Sequence, residues 1–309
     1  MKKSKLKRSA IVLCLALLVS VTAAFPAGAA SVPQEDASIW VDTVTAVSGA
    51  SGTVAVGVYT SAAIQEDTIV KITYDPSKLT LENIFYEGVS VATPLEAFDN
   101  NEPNAIYIAV TAGGAKGASM LSMFRFHVSG SATGEIPLTL QIVQGATGFT
   151  AQNGAIVIGG DAYSLTPSEE TPVILQTENN VFGAAWNGVT LGAIRSTSSL
   201  TGGSLEAYGP DNRQLGDNDP MGTGSRLVIR QNGAIVNQCI MVNYGDINGD
   251  GVINATDALL LLQNTVELIY LNTIQTGAGD CNQDQSISAT DALLILQYTV
   301  GLRYFTLEA

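Results

Sequence analysis

The chain has one histidine, three cysteines and two tryptophans in 309 residues, and only 14% of its side chains are charged. A single imidazole, His127, leaves little room for nucleophile–base chemistry. Alternation in MLSMFRFHV places it on the outer face of a strand, where a surface role is the simpler reading. There is no G-x-S-x-G elbow, phosphate loop or dinucleotide fingerprint. Glu96, Asp99 and Glu102 cluster in LEAFDNNEPN, but that run reads as a loop, not as two carboxylates opposed across a glycosidase cleft. The sequence therefore predicts no catalytic residue and no enzyme.

Basic residues are also scarce, 14 Lys and Arg against 28 Asp and Glu. Residues 1–29 read as an export signal: MKKSKLKR is basic, AIVLCLALLVSVTAAF is apolar, and Ala27-Gly28-Ala29 suits cleavage. Cys14 lies within the apolar stretch with more Leu and Val after it, which argues against a lipid anchor. This segment holds five of the basic residues and no acidic one, leaving nine against 28, a net charge near −19. Such acidity argues against nucleic acid and anionic membranes as partners. No second long apolar run follows, so the expectation is a secreted, extracellular chain with no membrane insertion, held at a cell only through a partner. Cys239 and Cys281 are too few for a disulfide scaffold. A single bond and two packed thiols both remain open.

What the sequence has in quantity is Gly, Thr, Val, Ala and Ser, in short alternating runs. From 37 to 160, SIWVDTVTAV, TVAVGVYT, TIVKITYD, AIYIAVTA, MLSMFRFHV, IPLTLQIV and GAIVIGG are separated by turn residues, which predicts a β-sandwich. In MLSMFRFHV, Leu121, Met123 or Phe124, Phe126 and Val128 should face inward and Arg125 and His127 outward, with a candidate bulge near Met123. Residues 161–176, DAYSLTPSEETPVILQ, read as a linker. Residues 177–244 read as a small β module, its clearest unit being RLVIRQNGAIVNQCIMVNY with a tight Asn232-Gly233 hairpin turn.

The helical signal lies in the last quarter, where GDINGDGVINATDALLLLQ is followed 34 positions on by GDCNQDQSISATDALLILQ. In the first copy Asp246, Asn248 and Asp250 stand at loop positions 1, 3 and 5, Val252 offers a carbonyl at 7, and Asp257 closes at 12. The second copy has Asp280, Asn282, Asp284, Ser286 and Asp291 in the same places. Hard oxygen donors at this spacing suit calcium, one ion per loop, and metal binding should be coupled to folding. The second copy lacks both internal glycines. Gln283 replaces Gly249 at a permissive position, whereas Gln285 replaces Gly251 where positive φ is expected, so the second loop should bind more weakly.

Two family resemblances rest on these stretches. W-V-D-T-V, G-T-V-A-V-G-V-Y, I-T-Y-D-P-S-K-L, F-R-F-H-V and G-E-I-P-L-T-L resemble a cohesin domain, most specifically at Tyr74-Asp75-Pro76-Ser77-Lys78-Leu79. The duplicated G-D-x-N-x-D-x-x-I-x-A-T-D-A-L-L-x-L-Q frame, with Asp instead of Glu at position 12 and no preceding helix, resembles a type I dockerin over residues 245–305. Residues 177–244 are similar to β modules that precede dockerins in secreted bacterial proteins, and are read as a spacer. The implied whole is a multi-domain chain: a cohesin-like jelly roll, a small β module and a small helical calcium-binding dockerin.

The dockerin resemblance implies partner contacts at Ala255, Thr256, Leu262 and Gln263, and at Ala289, Thr290, Leu296 and Gln297. Leu-Gln stands where many members have Lys-Arg, which implies a more apolar interface. Tyr244 with Tyr304 or Phe305 could clasp the termini. The function implied is an adaptor of a cellulosome-like, polysaccharide-degrading complex: its dockerin binds a cohesin of another scaffold protein, and its cohesin-like domain receives dockerin-bearing enzymes or subunits. Cohesins share their fold with cellulose-binding modules. A polysaccharide is therefore the competing ligand, with Trp40, Tyr59, Tyr86 and Tyr107 as candidates for an aromatic row.

Overall fold

The structure is a computed structural model describing residues 37–47, 52–87, 90–94, 104–161, 163–168, 173–175, 182–185 and 188–302. The N-terminal part forms two facing sheets. The first is ordered β10 (Thr150–Gln152), β1 (Ser38–Val41), β3 (Gly52–Thr60), β8 (Ser119–Val128) and β5 (Leu79–Glu87). The second runs β2 (Thr43–Val47), β11 (Gly154–Gly160), β9 (Glu135–Gln144), β4 (Thr68–Thr73), β7 (Ala105–Val110) and β6 (Ser90–Pro94). Period-two alternation, interrupted by bulges, supplies the apolar face that each sheet turns to the core. Val56, Phe124 and Phe126 of the first meet Ile72, Ile106, Ile108 and Ile136 of the second in a dry core. The β-sandwich reading holds.

Within β8 the inward residue is Phe124; Met123 lies on the opposite face, in a separate cluster with Ala55, Tyr59 and Met120. A register shift between Val58 and Tyr59, opposite Ser122 and Met120, leaves Leu121 as the extra residue. The bulge thus sits two positions before the one expected. His127 lies on the sheet surface with Nδ1 3.6 Å from a Glu82 carboxylate oxygen. Glu96, Asp99 and Glu102 lie outside the described residues.

Beyond the sandwich, β16 (Ser204–Tyr208), β17 (Gln214–Leu215), β18 (Arg226–Gln231) and β19 (Ala234–Asn243) form a second β unit. Asn232 and Gly233 take φ of 49° and 83° in the turn joining β18 to β19, as the sequence predicts. Residues 161–176 do not act as a bare linker. Ser164–Pro167 (β12) pairs with Ser198–Thr201 (β15), and Val173–Leu175 (β13) pairs with Phe182–Ala185 (β14). A short helix, α1 (Leu191–Thr197), starts at Thr190, whose side chain accepts the Ala193 N–H. It spans too few residues for an apolar period to show in sequence.

This unit is not a free spacer either. β19 joins β2 in parallel at Ile235 and Val44, making its sheet continuous with the second sheet of the sandwich. Ile240 and Val242 of β19 pack on Ala55, Tyr59, Met120 and Met123, the outer face of the first sheet. A buried polar cluster ties the same interface. Asp42 accepts N–H from Gly57, O–H from Tyr59 and Nε2–H from Gln238, and Arg226 donates to Gln238 Oε1. The Arg226 guanidinium lies between the Tyr59 and Tyr208 rings, 4.5 and 5.0 Å from their centroids.

Three helices follow: α2 (Ala255–Thr265), α3 (Thr273–Gly279) and α4 (Ala289–Thr299). α2 and α4 share a core with Ile247, Ile253, Ala258, Leu261, Ala292, Leu294 and Ile295. Ile274 and Ala278 of α3 complete the cluster at the face of the sandwich. Cys239 and Cys281 form no disulfide and are packed thiols, and burial pushes Cys239 up to about 12. No helix among the described residues is long and apolar enough to cross a membrane.

Candidate metal centre and partner face

Each loop is folded by its own carboxylates. In the first, Asp246 Oδ1 accepts the Gly249 N–H and Oδ2 accepts the Gly251 N–H, at 2.9 and 3.1 Å. Asn248 Oδ1 accepts the N–H of Asp250, and Asp250 Oδ1 accepts that of Val252. Asp257 Oδ1 collects the N–H groups of Ile247 and Asn248, and its Oδ2 accepts the N–H of Asn254. That last bond is half of a capping box with Asn254, so the residue closing the loop also starts α2. The helix begins one residue before Thr256, with Asn254 as its cap.

The second loop repeats the scheme. Asp280 accepts N–H from Asp284 and Gln285, Asp284 from Ser286, and Asp291 from Cys281, Asn282 and Ser288. Ser288 and Asp291 form the capping box of α4. Gln283 and Gln285 both take positive φ, 58° and 67°, matching 75° and 81° at Gly249 and Gly251. Position 283 is therefore not permissive: two glutamines, not one, hold a left-handed backbone here.

The carboxylates are spent on backbone N–H groups, and among the described residues no three acidic, histidine or cysteine side chains close into a metal cluster by themselves. The donor set still fits calcium. It includes an amide and a backbone carbonyl, and a carboxylate that accepts three N–H bonds, as Asp246 and Asp257 do, still keeps a free lone pair. Asp246 and Asp257 are fully buried, and no ion pair reaches either among the described residues. Burial pushes Asp246 up to about 6, with the Asp257 and Asp250 charges adding to it. Burial also raises Asp257, with Asp250 again adding. Buried, mutually repelling carboxylates of this kind call for a cation.

The two loops differ in what lies outside them. Thr223 N–H donates to Asp246 Oδ2 at 2.9 Å, and Thr223 Oγ1 exchanges hydrogen bonds with the Asn243 backbone. A Cβ on Gly222 would stand 2.2 Å from the Gly249 carbonyl oxygen, and one on Gly251 would stand 2.8 Å from Pro220 Cβ. The first loop is thus pressed backbone to backbone against the second β unit. Asn282, Gln283, Asp284, Gln285 and Ser286 of the second loop are all exposed.

The eight positions implied as partner contacts are open in both copies. Ala255, Thr256, Ala289 and Thr290 are exposed, Gln263 and Gln297 half-buried, and Leu262 and Leu296 are 38% and 39% exposed. Leu259 and Leu293 add exposures of 53% and 52%. Buried Ala258 and Leu261 correspond to buried Ala292 and Ile295, so each helix turns one apolar stripe inward and a second outward. Tyr244 is half-buried; Tyr304 and Phe305 lie outside the described residues. α3 escaped the sequence reading, although Asn272 and Gln275 form a capping box there and leave a legible N-x-x-Q signal.

Residues 244–299 match the type I dockerin domain. The C-terminal unit is a dockerin. A dockerin is a non-catalytic interaction module of the cellulosome type, and dockerins of this type bind calcium. Among solved structures, the seventh ScaB type I cohesin of Pseudobacteroides cellulosolvens is 20% identical, covering 42% of this chain and 96% of that one at a TM-score of 0.33. CaCohA2 of Clostridium acetobutylicum is 21% identical, covering 43% and 98% at 0.32. A non-cellulosomal cohesin of Archaeoglobus fulgidus is 20% identical, covering 40% and 91% at 0.31. No curated protein matches the sequence. Among the described residues, the part of the chain before the dockerin is mostly β-sheet.

The aromatic row does not form. Trp40 stacks on Tyr59 at 5.3 Å, but Tyr59 is buried beneath the second β unit. Tyr107 belongs to the other sheet, and the Tyr86 side chain lies outside the described residues.

Proposed function

We propose that this chain is a secreted, non-catalytic adaptor. Its dockerin binds a cohesin of another scaffold protein in a calcium-dependent way, and its sandwich receives a dockerin borne by another subunit. The observation that carries the first half is the match of residues 244–299, joined to the outward apolar stripe repeated on α2 and α4. Large exposed leucines in a continuous stripe are the mark of an interface. With Leu262-Gln263 and Leu296-Gln297 at its centre, that interface is apolar.

Calcium, when bound, supplies the positive charge that lets three carboxylates per loop lie together. The chain's own residues do the rest. Asp257 and Asp291 bind the metal and set the first turn of each helix, and ordering a loop thereby orders the stripe it presents. The residues proposed to hold the two ions are Asp246, Asn248, Asp250, Val252 and Asp257, and Asp280, Asn282, Asp284, Ser286 and Asp291.

The second half is supported by elimination among faces. The outer side of the first sheet is occupied around Ala55, Tyr59, Met120 and Met123 by the chain's own β19 and α3. The outer side of the second sheet carries Ile69, Lys71, Tyr107, Ala109 and Gln141 in register, with Lys71 Nζ 5.9 Å from the Tyr107 ring centroid. That broad face remains open for a protein partner. Polysaccharide is not favoured, because Tyr59, one of the stacked aromatic pair, is buried, and half-buried Trp40 packs against the same cluster.

The test is a pull-down with purified cohesins and dockerins from the same source, with calcium and with chelator. Capture by a cohesin only when calcium is present is expected for the intact chain. Failure to bind any cohesin would sink the adaptor reading. Capture of a dockerin that is lost on Tyr107→Asp would assign the second sheet.

A further inference from the structure

We infer that the first metal loop is built jointly by the dockerin and the second β unit, with Pro220, Gly222 and Thr223 acting as its outer wall and Thr223 as a positioning residue for Asp246. The inference rests on the calcium reading above and deepens it: the two metal sites of the repeat are unequal because only one is walled by another part of the chain.

Three contacts carry it. Thr223 N–H holds Asp246 Oδ2, the oxygen that also accepts the Gly251 N–H. The Gly249 carbonyl lies so close to Gly222 that any side chain there would overlap it, and Thr223 O lies 2.5 Å from where a Gly249 Cβ would stand. Thr223 is itself tied to Asn243, three residues before the loop, by hydrogen bonds in both directions, 3.2 and 3.0 Å. The loop cannot shift without moving the strand that feeds it.

This also accounts for the glycines. Gly249 and Gly251 answer two demands, positive φ and close backbone approach. The second loop faces solvent and meets only the first demand, which glutamine can satisfy at some cost in strain. Loss of glycine in the second copy therefore follows from the absence of a wall, not from decay of the site.

A consequence is linkage. Whatever binds the ordered loop stabilises every segment that must be ordered with it. Calcium in the first loop should protect residues 220–225 of the β unit, whereas calcium in the second should not.

The experiment uses the full chain, titrated with calcium by calorimetry, with hydrogen–deuterium exchange read in parallel. Wild type is expected to show two sites, with amides of residues 220–225 slowed by calcium. Gly222→Ala is expected to weaken one site about tenfold and leave the other unchanged, since the added methyl overpacks against the Gly249 carbonyl. In Asp246→Ala, which leaves the second loop alone, the protection of 220–225 should disappear. If Gly222→Ala does not fold, the exchange data on wild type and Asp246→Ala decide the matter. Unchanged affinities in folded Gly222→Ala, or calcium-independent exchange at 220–225 in wild type, would overturn the wall. No calcium binding in wild type would overturn the metal reading itself, a distinguishable result.

Discussion

Gln238, on β19, donates its Nε2–H to the Asp42 carboxylate of the sandwich at 2.9 Å, joining residues 196 positions apart. The same amide nitrogen donates to the Ala55 carbonyl, and its oxygen accepts from Arg226. One side chain therefore satisfies an acceptor of the sandwich and a cation of the second β unit. All three groups are buried, so none can turn to water instead.

Gln238→Leu keeps the volume but leaves Asp42 and Arg226 short of partners. A loss of about 2–4 kcal/mol is expected, because unsatisfied buried charged groups lose their full desolvation energy. Urea unfolding measures it, as a lower midpoint at unchanged slope. A loss within about 0.5 kcal/mol, typical of a surface site, would mean the two units are not welded there.

The pH response of the calcium-free protein follows from Asp246, whose carboxyl is raised by burial from 3.8 to about 6. A raised carboxyl favours the folded state while protonated. Its contribution is full below the ordinary value and is lost as pH rises through about 6. Calcium requires the ionised form and offsets the loss. The rise in melting temperature on adding calcium should therefore be larger at about pH 7.5 than at about pH 5. Equal increments at both would show that Asp246 does not meet the ion.

Gln285 holds φ of 67° on an exposed loop. Gln285→Gly removes strain of roughly 1 kcal/mol at no packing cost, so the second site should tighten about fivefold. Calorimetry would show this as one site moving and the other not. A weaker second site in the variant would mean that the glutamine side chain itself supports the loop.

Leu262 and Leu296 occupy equivalent places on outward stripes. Introducing Leu262→Asp and Leu296→Asp together should abolish cohesin capture, while calcium-dependent helicity, read in the far-UV, stays intact. Retained capture in the double variant would place the interface elsewhere.

The two acidic loops were the most legible part of the chain, because residue spacing, capping residues and the turn are all local. Asp246, Asn248, Asp250 and Asp257 stand in one twelve-residue window, and each forms its contacts largely within it. The sandwich was legible for a related reason, since alternation is a local signal with a global meaning. Which of Met123 and Phe124 turns inward was not, because the bulge at Leu121 resets the alternation and both residues are apolar.

What the sequence by itself determined, then, is a sandwich, an Asn-Gly hairpin, and a duplicated loop-and-helix unit folded by its own acidic side chains. Tertiary structure alone decided that Ser164–Pro167 and Val173–Leu175 would pair as strands, that the second β unit would be welded to the sandwich through Asp42, Gln238 and Arg226, and that one loop would be walled and the other open. Those outcomes depend on contacts between residues tens to hundreds of positions apart. Each such contact is one option among many in sequence, and it becomes the preferred one only when burial makes leaving it unmade costly.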